Sequence, residues 1–305
     1  ALALARQSEL LILAMDEDPK NVARLREQAA KAGLLGRNLY VEQGSIDRLP
    51  FADHYVDLLA LPHVKQAELA AEQKAEILRV LTPIHGTAVL ADGTIVKPEL
   101  EGSDWWMHKR HDPGNNPVSK DTIFQFPPVL QYKAMPMYSA YQQATLSGSG
   151  IQVEINPWHY EKFGIRLNLC GRIFARSVYT GRILWEANTP PGVFPTRPTS
   201  VLTEDELLIG REAQVGIARF GLLTGEELPP LDIGDEDTRV RWLAHEKGVL
   251  FMLFGRAADS QSRPFGWKHI SQWKRKNNKG YNNELVAWSL KEGKVLWKHE
   301  APGMV

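Results

Sequence analysis

The chain has 305 residues, 43% apolar and 24% charged, a composition ordinary for a globular protein of two domains rather than one small one. Lys+Arg and Asp+Glu each number 36, so no global field draws it to nucleic acid or anionic lipid, and no run approaches the ~18 apolar residues of a membrane span. A single cysteine, Cys170, rules out an internal disulfide without fixing the compartment.

The chain opens on "ALALARQ", which reads as the end of a helix, and runs into the apolar strand "LLILAM". In "DPKNVARLREQAAKAGL", Val22, Leu25, Ala29 and Ala32 recur at helical spacing. Asp18 suits the N-cap, Pro19 the first turn and Gly33 the stop. "NLYVEQG" is a second strand, and "SIDRLPFADHYVDLLAL" is a loop leading into a third. "AELAAEQKAEILRVL" is another amphipathic helix, closed by Pro83 and followed by the strand "GTAVLA". This alternation predicts a parallel sheet with helices on its faces, and ligands on such sheets sit beyond the carboxyl ends of the strands. A Pro/Gly-punctuated stretch, "GTIVKPELEGSDWW", ends the region, giving domains 1–97 and 98–305. All nine tryptophans fall in the second.

The motifs "MDEDPKNVARLREQA", "GSIDRLPFADHYVDLL" and "EILRVLTPIHGTAVL" resemble the middle and end of a Rossmann-like S-adenosylmethionine-dependent methyltransferase. The resemblance implies S-adenosylmethionine as the cofactor of the intact parent. Asp16 stands where that family's acid bonds the ribose hydroxyls, and Gly44, Ser45 and Ile46 form the loop beside the adenine. Ser45 replaces the aspartate usual there, while Ile46 suits the adenine face. The family's first strand and Gly-x-Gly loop do not appear, so the chain reads as a fragment that binds the cofactor poorly alone. No catalytic motif is present; His63, in "LPHVKQ", is the one candidate after the third strand, and a lone histidine is more often structural.

Beyond residue 98, three stretches resemble one another: 170–188, 213–231 and 283–300. Each pairs two strands through a turn at Gly181, Gly225 or Gly293, and two end in Leu-Trp. Glycines 181 and 225 are 44 apart, which suits a four-stranded blade, whereas 225 and 293 are 68 apart, one blade carrying an insertion. The insertion alternates basic residues with Trp267, Trp273 and Tyr281, a composition suited to a protein or glycan partner, against which stands the plain reading of a solvated loop. These repeats resemble the PQQ-like β-propeller, and "DWWMHKRHDPGNNPVSKDTI" resembles its opening segment. In that family the repeated Trp packs one blade on the next, and Ser177, Arg219 and Ser289 take the place of an Asp before the hairpin. The quinone chemistry does not carry over, so PQQ is not expected. His108 and His111, three apart, offer two metal ligands but no third, and read otherwise as a surface-facing strand; no metal is expected.

The fold class is therefore multidomain, a partial Rossmann-like sheet followed by an incomplete propeller of at most four or five blades. The whole resembles a fusion found in planctomycete-like bacteria, commonly exported, which disfavours methyl transfer because the methyl donor is cytoplasmic. Two functions follow: a binding or scaffold protein with a degenerate methyltransferase-like domain, or a methyltransferase whose propeller selects the substrate. No nucleic-acid partner is expected.

Overall fold

A computed structural model describes residues 1–128, 130–134, 144–156, 171–190, 199–211, 216–234, 236, 238–256 and 282–304. Cys170 and the aromatic residues Trp267, Trp273 and Tyr281 lie outside the described residues. The chain divides into two compact units, Ala1–Glu99 and Leu100–Val305.

The first unit runs α1 (Leu2–Gln7), β1 (Ile12–Asp16), α2 (Pro19–Lys31), β2 (Leu39–Gln43), β3 (Leu58–Leu61), α3 (Ala71–Val80), β4 (Thr87–Leu90) and β5 (Thr94–Val96). Helix α2 starts where the Asp18 carboxylate accepts the Lys20 N–H at 2.8 Å, with Pro19 in its first turn. It ends before Gly33, whose φ of +67° glycine tolerates without strain. Strands β1 and β2 pair in parallel, as do β3 and β4, the signature of crossover connections; β5 adds antiparallel to β4. The sequence reading has one parallel sheet. No described strand bonds both β1 and β3, so the two parallel pairs remain separate sheets. The run "LLILAM" is consequently less buried than its composition predicts. Leu11 is 74% exposed and precedes the strand, and residues 12–15 are half-buried. Strand β5 falls inside the stretch read as a linker. Each sheet has its own core: Val22, Ala29, Leu39 and Val41 in one, Ile77, Leu81, Ala88 and Leu90 in the other.

The second unit holds three four-stranded antiparallel meanders among the described residues. The first comprises β6 (Ala144–Gly148), β7 (Ile151–Asn156), β8 (Arg172–Ser177) and β9 (Ile183–Asn188). Next come β10 (Ser200–Leu202), β11 (Glu206–Gly210), β12 (Ile217–Gly221) and β13 (Glu227–Leu231). The third has β14 (Thr238–Glu246), β15 (Val249–Arg256), β16 (Asn282–Ser289) and β17 (Lys294–Met304). These are propeller-type blades, and the three sequence repeats are the last hairpin of each. Two apolar layers separate them. Val153, Ile173 and Trp185 of the first sheet meet Leu207, Ile209 and Phe220 of the second in one cluster. Val201, Leu208 and Ile217 from the second sheet's other side join Val240, Met252 and Val286 of the third. Each sheet is thus a slab with side chains alternating to either face.

Candidate functional site

The carboxyl ends of β1 and β2 lie side by side, Asp16 opposite Gln43 in the register, and the Gly44 N–H donates to the Asp16 carbonyl at 3.2 Å. The Asp16 carboxylate serves its own turn first: Oδ1 accepts the Asp18 N–H at 2.9 Å, and Asn21 Nδ2 lies 3.3 Å from both oxygens. A carboxylate offers about four acceptor directions, so this exposed group retains capacity for further donors, ribose hydroxyls among them. Gly44 leaves the approach open; a Cβ there would meet only the flexible end of Met15.

The rest of the loop turns elsewhere. Ser45 Oγ donates to Asp47 Oδ2 at 3.1 Å and lies 3.3 Å from the Asp47 N–H, while Asp47 Oδ1 accepts Gln73 Nε2 of α3 at 2.8 Å. Ile46 packs on the core around Ile77 and Leu81. Asp16 and Gly44 are thus brought together, whereas Ser45 and Ile46 tie their loop to α3. The remaining acceptor capacity of Asp16 fits the hydroxyls of a nucleoside's sugar. His63 is exposed in the turn after β3.

A brace that the sequence reading missed follows this loop. Arg79 donates to Glu76 through Nε and Nη2 at 2.7 and 2.8 Å, to Asp53 at 2.7 Å, and to the carbonyls of Phe51 and Leu49 at 2.8 and 3.1 Å. Glu76 also accepts the Leu49 N–H at 2.7 Å. Its hydrogen bonds from Arg79 hold its carboxyl down at about 2. The Glu-x-x-Arg spacing in α3 was the available signal. Nearby, Lys97 Nζ lies 2.5 Å from His54 Nδ1, and burial lowers the pKa of both. Their separation of 43 residues leaves no local trace in the sequence.

In the second unit, the segment 104–120 ties the three sheets at their first strands. Trp106 exchanges hydrogen bonds with Ser147 of β6, and the Met107 carbonyl accepts the Leu202 N–H of β10 at 2.9 Å. His108 Nε2 accepts the His245 N–H of β14 at 3.0 Å. Asp104 organises the loop behind it: Oδ2 bonds His111 Nε2 at 2.7 Å, the Ser119 hydroxyl at 3.0 Å and the Lys120 N–H at 2.6 Å. Burial raises the Asp104 pKa, but these donors outweigh it and the net direction is down. The surface-facing reading of this strand is corrected, since both His108 and His111 are buried. Their ring nitrogens serve a backbone amide and a carboxylate, and no group of three metal-ligating side chains occurs among the described residues.

The turns also correct one alignment of the repeats. Ser177 and Ser289 lie four residues before their turn glycines and accept turn N–H groups, Thr180 at 3.3 Å and Glu292 at 3.1 Å. The equivalent residue of the second sheet is Gly221, not Arg219, which instead forms a two-pronged ion pair with Glu206.

Residues 1–87 match the family described as Methyltransferase domain. No curated protein matches the chain. Among solved structures, the computationally designed Ika8 protein is 14% identical with a TM-score of 0.32, over 53% of this chain and 37% of that one. Quinohemoprotein alcohol dehydrogenase ADHIIG of Pseudomonas putida HK5 is 15% identical (TM-score 0.31; 52% of this chain, 26% of that one). The quinohemoprotein alcohol dehydrogenase of Comamonas testosteroni is 12% identical (TM-score 0.34; 52% and 20%). The chain thus spans well under half the length of these solved proteins. At such TM-scores the blade assignment rests on the strand pairings themselves: a region that matches the methyltransferase family model precedes a propeller-like array. No helix among the described residues is long and apolar enough to cross a membrane.

Proposed function

We propose that the chain is part of a binding or scaffold protein, in which the blades present loops to a protein or glycan partner and the methyltransferase-like domain is degenerate. The observation that carries this reading is the loop after β2. Ser45 and Asp47 are engaged with one another and with Gln73, and Ile46 sits on the α3 core, so the loop braces the fold. Export of the parent belongs to the same reading, on the resemblance alone.

A second reading, methyl transfer, is favoured by Asp16 with its exposed carboxylate beside Gly44. In that case Asp16 would hold the ribose and the backbone of Gly44 would let the nucleoside approach; S-adenosylmethionine supplies the electrophilic methyl group when bound. Calorimetric titration of S-adenosylmethionine into the intact parent protein, shown to be folded, with Asp16→Ala as control, separates the two. We expect no saturable heat under the scaffold reading. Saturable binding weakened at least tenfold by Asp16→Ala would overturn it.

A further inference from the structure

Two histidines of the second unit are used in a way that only the neutral ring allows. His108 Nε2 accepts the His245 N–H at 3.0 Å, and His245 Nε2 accepts the Gly248 N–H at 3.1 Å. A backbone N–H can only donate, so each Nε2 offers a lone pair and each ring carries its one proton on Nδ1. His108 is buried, and its Nδ1 meets no hydrogen-bond partner among the described residues.

The two bonds form a relay. His108 lies in the segment that ties the sheets together and also bridges Val201 of β10. His245 is the next-to-last residue of β14, and Gly248 lies in the two-residue turn to β15. Lys247 and Gly248 of that turn have φ of 50° and 77°, so a lysine bears a left-handed backbone that side chains disfavour, and the imidazole bond helps to hold it. The Gly248 carbonyl then accepts the Leu290 N–H at 3.0 Å, just beyond β16.

The neighbouring anchors are of another kind. The Ser147 and Leu202 N–H groups donate to the carbonyls of Trp106 and Met107. The corresponding turn of the second sheet is held by the Thr203 hydroxyl, which accepts from Asp205 at 3.3 Å and Glu206 at 2.9 Å. None of these groups titrates in mild acid. His111 keeps its bond to Asp104 in either ring form, because a carboxylate accepts from a neutral or a charged imidazole.

Charging the relay would aim an N–H at an N–H twice and set two like charges side by side. Asp112 of the crossing segment opposes this at His108, and Glu204 of the β10–β11 turn and Glu246 of β14 oppose it at His245. Burial is the larger influence on both rings and holds them below the ordinary 6.5. The cations Lys109 and Arg110 stand in the turn between His108 and His111, and Lys247 in the turn after His245.

We infer that His108 and His245 form an acid-released latch: in mild acid both rings charge within the folded chain and the β14–β15 turn lets go of the crossing segment, while that segment stays bonded to the first two sheets. The opening is local and takes up protons, so falling pH drives it. It does not depend on what the blades bind.

Solution NMR of the isotopically labelled 305-residue chain between pH 7.5 and 5 tests this. The amide signals of His245, Gly248 and Leu290 are expected to move together with the ring signals of His108 and His245. Exchange of these amides with water, corrected for its intrinsic pH dependence, should quicken by about tenfold per charged ring. The Ser147 and Leu202 amides should hold. In His108→Gln, whose side-chain oxygen is an acceptor that does not titrate, the His245 amide should cease to respond while Gly248 still does. Rings that stay neutral down to pH 5 overturn the proposal, as does ring titration that leaves the His245 and Gly248 amides unmoved. So does a change that arrives only with loss of the Ser147 and Leu202 signals, which is unfolding of the whole unit, or an unaltered His245 response in folded His108→Gln. Should that variant not fold, the titration of the parent chain decides.

Discussion

Trp185 on β9 donates its indole N–H to the carbonyl of Leu222, at the far end of the hairpin in the next sheet, and its ring stacks 6.3 Å from Phe220. One side chain thus satisfies a buried polar atom and fills the layer between two sheets.

Removing only the donor separates these two contributions. Trp185→Phe keeps most of the packing but leaves the Leu222 carbonyl short of a partner, at a cost of about 1–3 kcal/mol. Trp185→Ala adds a cavity and costs about 3–5 kcal/mol. Chemical denaturation followed by near-ultraviolet circular dichroism should rank the parent above Trp185→Phe and Trp185→Ala last.

Gly225 and Gly293 occupy the same turn position with similar φ, but an added Cβ meets the Trp185 ring at the first and nothing within 4 Å at the second. Both alanine variants bear the left-handed backbone penalty, about 1 kcal/mol. Only Gly225→Ala also displaces the indole. We expect Gly225→Ala to lower the melting temperature by several degrees more than Gly293→Ala; equal losses would mean that the ring contact contributes nothing.

The brace on α3 should matter to the loop it grips. Arg79→Ala strands Glu76, whose side chain is 14% exposed, and removes donors from two backbone carbonyls. A loss of roughly 2–4 kcal/mol is expected for the first unit, with Arg79→Lys recovering only part because an ammonium cannot form the fork. Glu76, ionised and held at about 2, contributes its stability above the ordinary carboxylate pKa and loses it as pH falls towards 2. In Glu76→Gln that acid-dependent component should vanish from a plot of melting temperature against pH.

His108 sets a second pH dependence, in a milder range. Burial lowers its pKa, and neutral Nε2 is the acceptor for the His245 N–H. The unfolded chain therefore takes up a proton first. Stability is complete above about pH 6.5 and falls as pH drops from there through the lower folded-state value. His245 is lowered by burial as well and adds to the same trend. Melting temperatures between pH 7.5 and 5 should decline, and His108→Gln should flatten the decline; an unchanged slope would show that the ring does not titrate with unfolding.

Much of the local structure was legible because it is set by adjacent residues. Asp18, Pro19 and Gly33 define α2 by capping and backbone freedom, and alternating apolar residues around Gly181, Gly225 and Gly293 define three hairpins. Partnership was less legible. Asp16 could be located at a strand end, but not its bonds to Asp18 and Asn21, and Ser45 looked like a ligand position rather than a partner of Asp47. The burial of His108 carries no periodic signal, since the β10 and β14 strands it bonds come from distant stretches.

By itself the sequence determined the order of elements, the repeat and the tryptophan that recurs at the end of two of the hairpins, because turn chemistry and side-chain alternation act over a few positions. Only the tertiary structure decided how each turn is covered. Trp185 and Trp297 are alike in their repeats, but one is buried against Leu222 and Gly225 while the other stands half-exposed, and Tyr132, outside any repeat, takes the place of a tryptophan at Gly181. That difference arises from burial against another sheet, which sequence spacing does not encode.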